Sequence, residues 1–307
     1  MRDFLYTVGS WYSVMDNLFI FARWENVWLS ICILIVVLIH FLIEPARWII
    51  YTKIKNKQQA ITFFYIFSAT AFFSYIMPAK LGIPIRLWLI KKYQQLKVGV
   101  IGLFILVEQT FTMVYWTIAS LLLGGNIAII IILENIERIK KQITPIIIVF
   151  VIIIVVALLI VSWFKRSLLI RGGRAVISAL SLSQINIIAA LYIMDIFSYV
   201  VRHFIILLLL GKNDLPFLTV APIAVISIFA GFISAMPMGL GGYDATIVFF
   251  LTKQGMSLKA AILVPVINRA ANLLISALIG IPSAYKLGVG LNIKTLMKKV
   301  RRSENVG

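Results

Sequence analysis

The chain of 307 residues is 62% hydrophobic and only 13% charged, with a mean hydropathy of +1.02 and a net charge of +18. That composition excludes an ordinary soluble domain and describes a polytopic helical membrane protein whose solvent is lipid. The basic residues fall between apolar runs and not on one polar face, so membrane topology accounts for them and no nucleic-acid partner is expected.

In chain order, residues 1–26 carry Arg2, Asp3 and Asp16 and lack the compact apolar centre and small-residue cleavage site of a signal peptide. Leu5, Val8, Tyr12, Met15 and Phe19 recur at helical spacing, and Trp11 and Trp24 suit the headgroup layer. The pattern predicts an interfacial amphipathic helix. Apolar runs follow at 27–43, 61–77, 98–124, 145–164, 184–210, 217–236 and 259–287. Most approach or exceed the ~20 residues that cross a bilayer, which gives about seven spans in a transmembrane domain at 27–290. A basic tail at 291–307 completes the chain. Two apolar segments, 78–90 and 239–251, are too short to cross and are predicted to be re-entrant half-helices.

Cys32 is the single cysteine, and His40 and His203 are the two histidines. A disulfide, a thiolate cluster, a paired-histidine zinc site and a hydrolase triad all lack their parts, so no cofactor and no metal are expected.

Basic clusters follow residues 43, 90 and 164 and fill the tail. The positive-inside rule places all four in the cytoplasm, with the N-terminus outside. Spans two and three would separate the first two clusters unless the chain turns at Pro78 and 78–90 returns to the same face. By the same logic Pro237 turns the chain, and 239–251 returns to the outer face.

The two breaks resemble one another. Shifted by 159 positions, SATAFFSYIMPAKLG (68–82) aligns with SIFAGFISAMPMGLG (227–241) at seven identities in fifteen, including Met77 with Met236, Pro78 with Pro237 and Gly82 with Gly241. Roughly one or two are expected in so biased a composition. Three crossings separate the copies, so the second enters from the opposite face. The fold class predicted is all-α, a polytopic membrane helical bundle with two inverted repeats, each containing a Pro/Gly-broken re-entrant segment. Such paired breaks point to a substrate site near the midplane, because an interrupted helix exposes backbone groups that only a polar cavity satisfies.

Ionisable residues inside spans cost about 2.5 to 3.5 kcal/mol each on insertion scales and mark function or pairing. They are Glu108, Asp195, Arg202, His203 and Arg269. Glu108 follows Pro78 by 30 positions and Arg269 follows Pro237 by 32, which suggests a Glu108–Arg269 contact. Asp195 and Arg202 share a helix face two turns apart, and Arg202 and His203 could snorkel to an interface. At the breaks, Gly239, Gly241 and Gly242 permit close backbone approach, and the half-helix starting near Asp244 offers N–H groups to an anion, with Asp244 equally suited to cap it. Lys80 and Arg86 put two cations at the corresponding break, which suits a phosphate.

MPMGLGGYDA (236–245), Asn268–Arg269, MPAKLGIPIR (77–86), Glu108 and ARW (46–48) resemble the integral membrane region of the lysylphosphatidylglycerol synthase transmembrane family, over nearly the whole chain. Its Pro-Gly-Gly-x-Gly-Gly-x-Glu signature is matched by Pro237, Gly239, Gly241, Gly242 and Asp244, and an earlier signature by Pro78, Lys80, Gly82 and Arg86. Ile83, Met238 and the Gln109 and Thr112 that accompany Glu108 depart from the family pattern, which points to a substrate other than its best-known lipid. The resemblance implies an integral membrane domain that flips or handles an anionic, aminoacylated or polyprenyl-linked lipid, beside a separate synthase or glycosyltransferase partner.

Together these features predict a flippase-type lipid transporter with substrate contacts at Lys80, Arg86, Glu108, Gly239, Gly241, Gly242, Asp244, Asn268 and Arg269. With no soluble catalytic domain in these residues, transport is expected over catalysis. The alternatives are an integral membrane transferase, or a non-catalytic partner in lipid-linked sugar or headgroup modification. A homo-oligomer is compatible with either.

Overall fold

A computed structural model describes residues 24–54, 56–76, 82–94, 98–142, 180–233 and 241–289. These form eight helices, and no strand occurs among the described residues. They are α1 (Trp24–Tyr51), α2 (Lys57–Ile76), α3 (Gly82–Gln94), α4 (Val98–Gln142), α5 (Leu182–Leu209), α6 (Phe217–Ile233), α7 (Gly242–Lys253) and α8 (Leu258–Lys286).

Five of the eight are long and apolar enough to cross a membrane: α1, α2, the 99–124 part of α4, α5 and α8. With α6, a shorter apolar helix of 17 residues, they coincide with six of the seven apolar runs read from the sequence. The seventh, 145–164, lies outside the described residues, as do 1–23 and the basic tail. The chain is a multi-pass membrane protein. Its outer surface agrees, because Leu122 is 79% exposed and Leu218 83%. Side chains of this kind are expensive in water and at home in hydrocarbon.

Two helices differ from the sequence reading. The first run ends at Ile43 ahead of Pro45, yet α1 carries Pro45 inside it and continues to Tyr51. Glu44 and Arg47 therefore sit on a spanning helix and not in a link. The backbone of α4 stays helical for 45 residues, well beyond the apolar run that ends at residue 124. At ~1.5 Å per residue it is about twice the length the hydrocarbon requires.

The short helices are α3 with 13 residues and α7 with 12, each too short to cross by itself. Each folds back on the helix that precedes it, α3 on α2 and α7 on α6. Boundaries recur along the chain. Shifted by 159 positions, α1, α2 and α3 fall on 183–210, 216–235 and 241–253, each within two residues of the bounds of α5, α6 and α7. The start of α4 falls on 257, one residue before α8. Packing follows the same correspondence: α1 lies on α5, α2 on α8, and α4 on α6.

Two apolar clusters hold the bundle. One joins Phe63, Ile66, Phe67, Phe73, Ile85, Leu89 and Ile90 to Trp48, Ala284 and Leu287. The other joins Trp116, Ile206, Leu207, Val225, Ile247, Val264 and Ile267. Polar side chains are concentrated where side chains of both clusters face one cavity.

Candidate functional site

The cavity has a volume of about 390 Å³ and is walled by every helix, including both short ones. Charge is supplied by Glu44 and Arg47 from α1, Arg86 from α3, Glu108 from α4, Asp195 from α5 and Arg269 from α8, and His40 adds an imidazole. Phe67, Trp116 and Tyr199 give it apolar wall.

Of the residues predicted to contact substrate, Arg86, Glu108, Asn268 and Arg269 line this cavity, and so does Asp195, singled out as an ionisable residue inside a span. Asp244 stands behind Arg269 and reaches the cavity through it. Gly241 and Gly242 do not line it. Lys80 and Gly239 lie outside the described residues.

The expected Glu108–Arg269 contact is not made, because each has a nearer partner. Arg269 binds Asp244 with Nη2 at 2.9 and 2.8 Å from its two oxygens and Nε at 3.1 Å. Asp244 also accepts from the Gly241 amide at 3.1 Å. It is the third residue of α7 and not its N-cap; there it closes the exposed amide end of a short helix and holds a guanidinium at once. Glu108 instead accepts from Trp48 Nε1, with Arg47 Nη2 at 3.7 Å.

Arg86 is likewise engaged. It forms a two-pronged pair with Glu44, donates from Nε to Thr70 Oγ1 at 3.2 Å, and lies over the Phe67 ring at 4.3 Å. This pair pins α3 to α1 and α2. The equivalent place in the second half pins α7 to α5: His203, 159 positions after Glu44, meets Tyr243. Short helices contribute little stability alone, so a polar tie to a spanning helix fixes their position.

His203 belongs to a closed polar chain. Its Nδ1 lies 2.7 Å from the Tyr199 carbonyl, which can only accept, so Nδ1 carries the proton and Nε2 accepts from the Tyr243 hydroxyl. Asn268 Nδ2 donates to that hydroxyl at 2.9 Å. Asn272 Nδ2 donates to Asn268 Oδ1 at 3.2 Å, and Arg202 Nη1 donates to Asn272 Oδ1 at 3.0 Å. Arg202 and His203 are each 1% exposed, so neither snorkels to an interface. The two nitrogens of Arg202 outside this bond have no hydrogen-bond partner, and the guanidinium rests 4.3 Å above the Tyr199 ring.

Asp195 pairs with His40 Nδ1 at 2.7 Å and with Arg47 Nη1 at 3.3 Å. His40, Glu44, Arg47, Tyr199 and Asn272 are cavity residues that sequence reasoning did not place in the site. Glu44 and Arg47 follow directly on the first apolar run, which ends at residue 43, so neither was placed on a spanning helix. The geometry therefore provides paired charges that a charged ligand can exchange with, and a polar network that fixes α7 against α5 and α8. Among the described residues no group of three or more metal-ligating side chains occurs.

No curated protein and no solved structure matches the chain. The model of the family described as lysylphosphatidylglycerol synthase TM region matches residues 15–280, which contain all eight cavity-forming helices up to the last turns of α8. The match covers well over half of the sequence, and the chain belongs to the lysylphosphatidylglycerol synthase TM region family.

Proposed function

We propose that the protein is a flippase-type transporter that moves the headgroup of a phosphate-bearing membrane lipid through this cavity while the acyl chains remain in hydrocarbon. The observation that carries the reading is the cavity itself: six charged side chains and a histidine converge inside a bundle whose helices are made to lie in lipid. Charges at such depth are costly and mark a pathway. The family's description, which names a lipid synthase, ties the fold to membrane lipids.

In this reading α1–α4 and α5–α8 are two copies of one unit inserted with opposite orientation, and α3 and α7 are the re-entrant pieces. The 159-residue recurrence of helix boundaries and the matched packing pairs support it. Arg86 and Arg269 are the cations that a phosphate reaches first, each releasing part of its bond to Glu44 or Asp244. A guanidinium suits this exchange, because its fork accepts a phosphate in the geometry it offers a carboxylate.

Reconstitution into liposomes with a headgroup-labelled anionic phospholipid tests the proposal. The expected result is protein-dependent headgroup translocation with no new lipid species by mass spectrometry. New lipid species would favour the transferase alternative, and neither outcome would leave the chain as a non-catalytic partner.

A further inference from the structure

Glu108 is 1% exposed and lines the cavity, yet its Oε1 receives no hydrogen bond. The other oxygen accepts from Trp48. Arg47 is the nearest cation, at 3.7 Å from Oε1, because its Nη1 is turned to Asp195 at 3.3 Å. The side chains that face Glu108 can be counted helix by helix. Sharing the cavity with it are His40, Glu44 and Arg47 from α1, Tyr75 from α2, Arg86 from α3, Asp195 and Tyr199 from α5, Tyr243 from α7, and Arg269 from α8, which Asp244 holds; α6 has no titratable residue. Glu44 and Arg86 cancel as a pair. One guanidinium is then left against two buried carboxylates, with His40 beside Asp195.

An uncompensated negative charge in this setting is expensive, and a single proton removes it. Asp195 is the poorer acceptor for that proton, since both of its oxygens already face donors on His40 and Arg47. We propose that Glu108 is a proton-binding site of the cavity, neutral while Arg47 is committed to Asp195 and ionised when Arg47 swings across to it. The two carboxylates then alternate as partners of one arginine, which gives the bundle two discrete internal arrangements that differ by one proton. Proton binding stands on the cluster alone. Coupling of that proton to lipid movement rests on the transport reading above.

Infrared difference spectroscopy on the full chain in nanodiscs, stepped between acid and alkaline pH without added lipid substrate, reads the proton directly. The expected result is a protonated-carboxyl C=O band that is lost on alkalinisation and absent from Glu108→Gln, which keeps an acceptor for Trp48. In Asp195→Asn the band should persist but titrate at lower pH, because Arg47 then has one carboxylate to serve. A band unchanged in Glu108→Gln, or a titration that moves only with His40→Gln, overturns the site. In proteoliposomes, one proton per lipid predicts that a one-unit pH gradient biases the lipid distribution about tenfold in the wild type and not in Glu108→Gln. Translocation indifferent to the gradient, with the carboxyl band present, overturns the coupling and leaves both the proton site and the transport reading standing.

Discussion

Arg269 and Asp244 meet side by side across α8 and α7, with the guanidinium spanning both carboxylate oxygens at 2.8 and 2.9 Å. The pair is about a quarter exposed, so its contribution is tempered by solvent, and removing one partner should cost about 1 to 2 kcal/mol. Asp244→Asn and Arg269→Gln are each expected to lower the melting temperature, and the double variant should recover most of the loss. If Arg269 also holds the lipid phosphate, translocation will not recover with stability. Thermal unfolding and translocation measured on the same four proteins separate a latch from a ligand contact.

Gly82 and Gly241 occupy the same place in the 159-residue correspondence but for different physical reasons. A Cβ at Gly82 would lie 2.7 Å from the Thr70 carbonyl and 1.8 Å from Ser74 Oγ, so α3 can approach α2 only without one. Gly241 has open space around it but a φ of +83°, which L side chains rarely adopt. Gly82→Ala should therefore displace α3 and lower both stability and translocation. Gly241→Ala should cost about 1 to 3 kcal/mol from backbone strain, and Gly241→Asn a similar amount, since a ψ of −61° lies outside the left-handed helical region that asparagine tolerates. Melting temperatures of the three variants check these outcomes.

Tyr243→Phe removes the hydroxyl that His203 and Asn268 share. Two buried groups lose a partner at once, at about 1 to 3 kcal/mol each if water does not enter. The expected outcome is a lower melting temperature and faster hydrogen exchange in α7, read by mass spectrometry, with α3 unaffected.

The charges of the site were legible in the sequence because lipid makes them conspicuous. Glu108, Asp195, Arg202, His203 and Arg269 interrupt runs where each costs free energy, and all five are buried or line the cavity. Their partners were not legible. Arg269 turns to Asp244 because α7 folds back against α8, a tertiary fact with no local signature. Glu44 and Arg47 were missed for a local reason: the apolar run stops at residue 43, whereas α1 continues through Pro45 to Tyr51 and delivers both residues to the cavity. The repeat was visible at 68–82 and 227–241, where identities survive. The matching bounds of α1 and α5 had no such identities to announce them, since an apolar span tolerates almost any apolar substitution.

Arg202 is the buried cation without a carboxylate among the described residues, and its Nη1 holds Asn272. Arg202→Met should raise or leave unchanged the melting temperature, because removing an unpaired buried charge offsets the loss of one hydrogen bond. If the positive charge attracts the headgroup to the cavity, translocation of an anionic lipid will fall while that of a neutral lipid will not. Parallel assays with the two lipids provide the comparison.

Ala71 lies on the cavity wall, and Leu122 faces outward, 79% exposed. Tryptophan at either position adds a similar bulk, in one case to the proposed pathway and in the other to lipid. The most direct measurement is headgroup translocation in proteoliposomes by wild type, Ala71→Trp and Leu122→Trp, each shown to be folded by thermal unfolding. The account predicts movement by wild type and Leu122→Trp and its loss in Ala71→Trp. Equal rates for all three folded proteins, or none for the wild type, would contradict it.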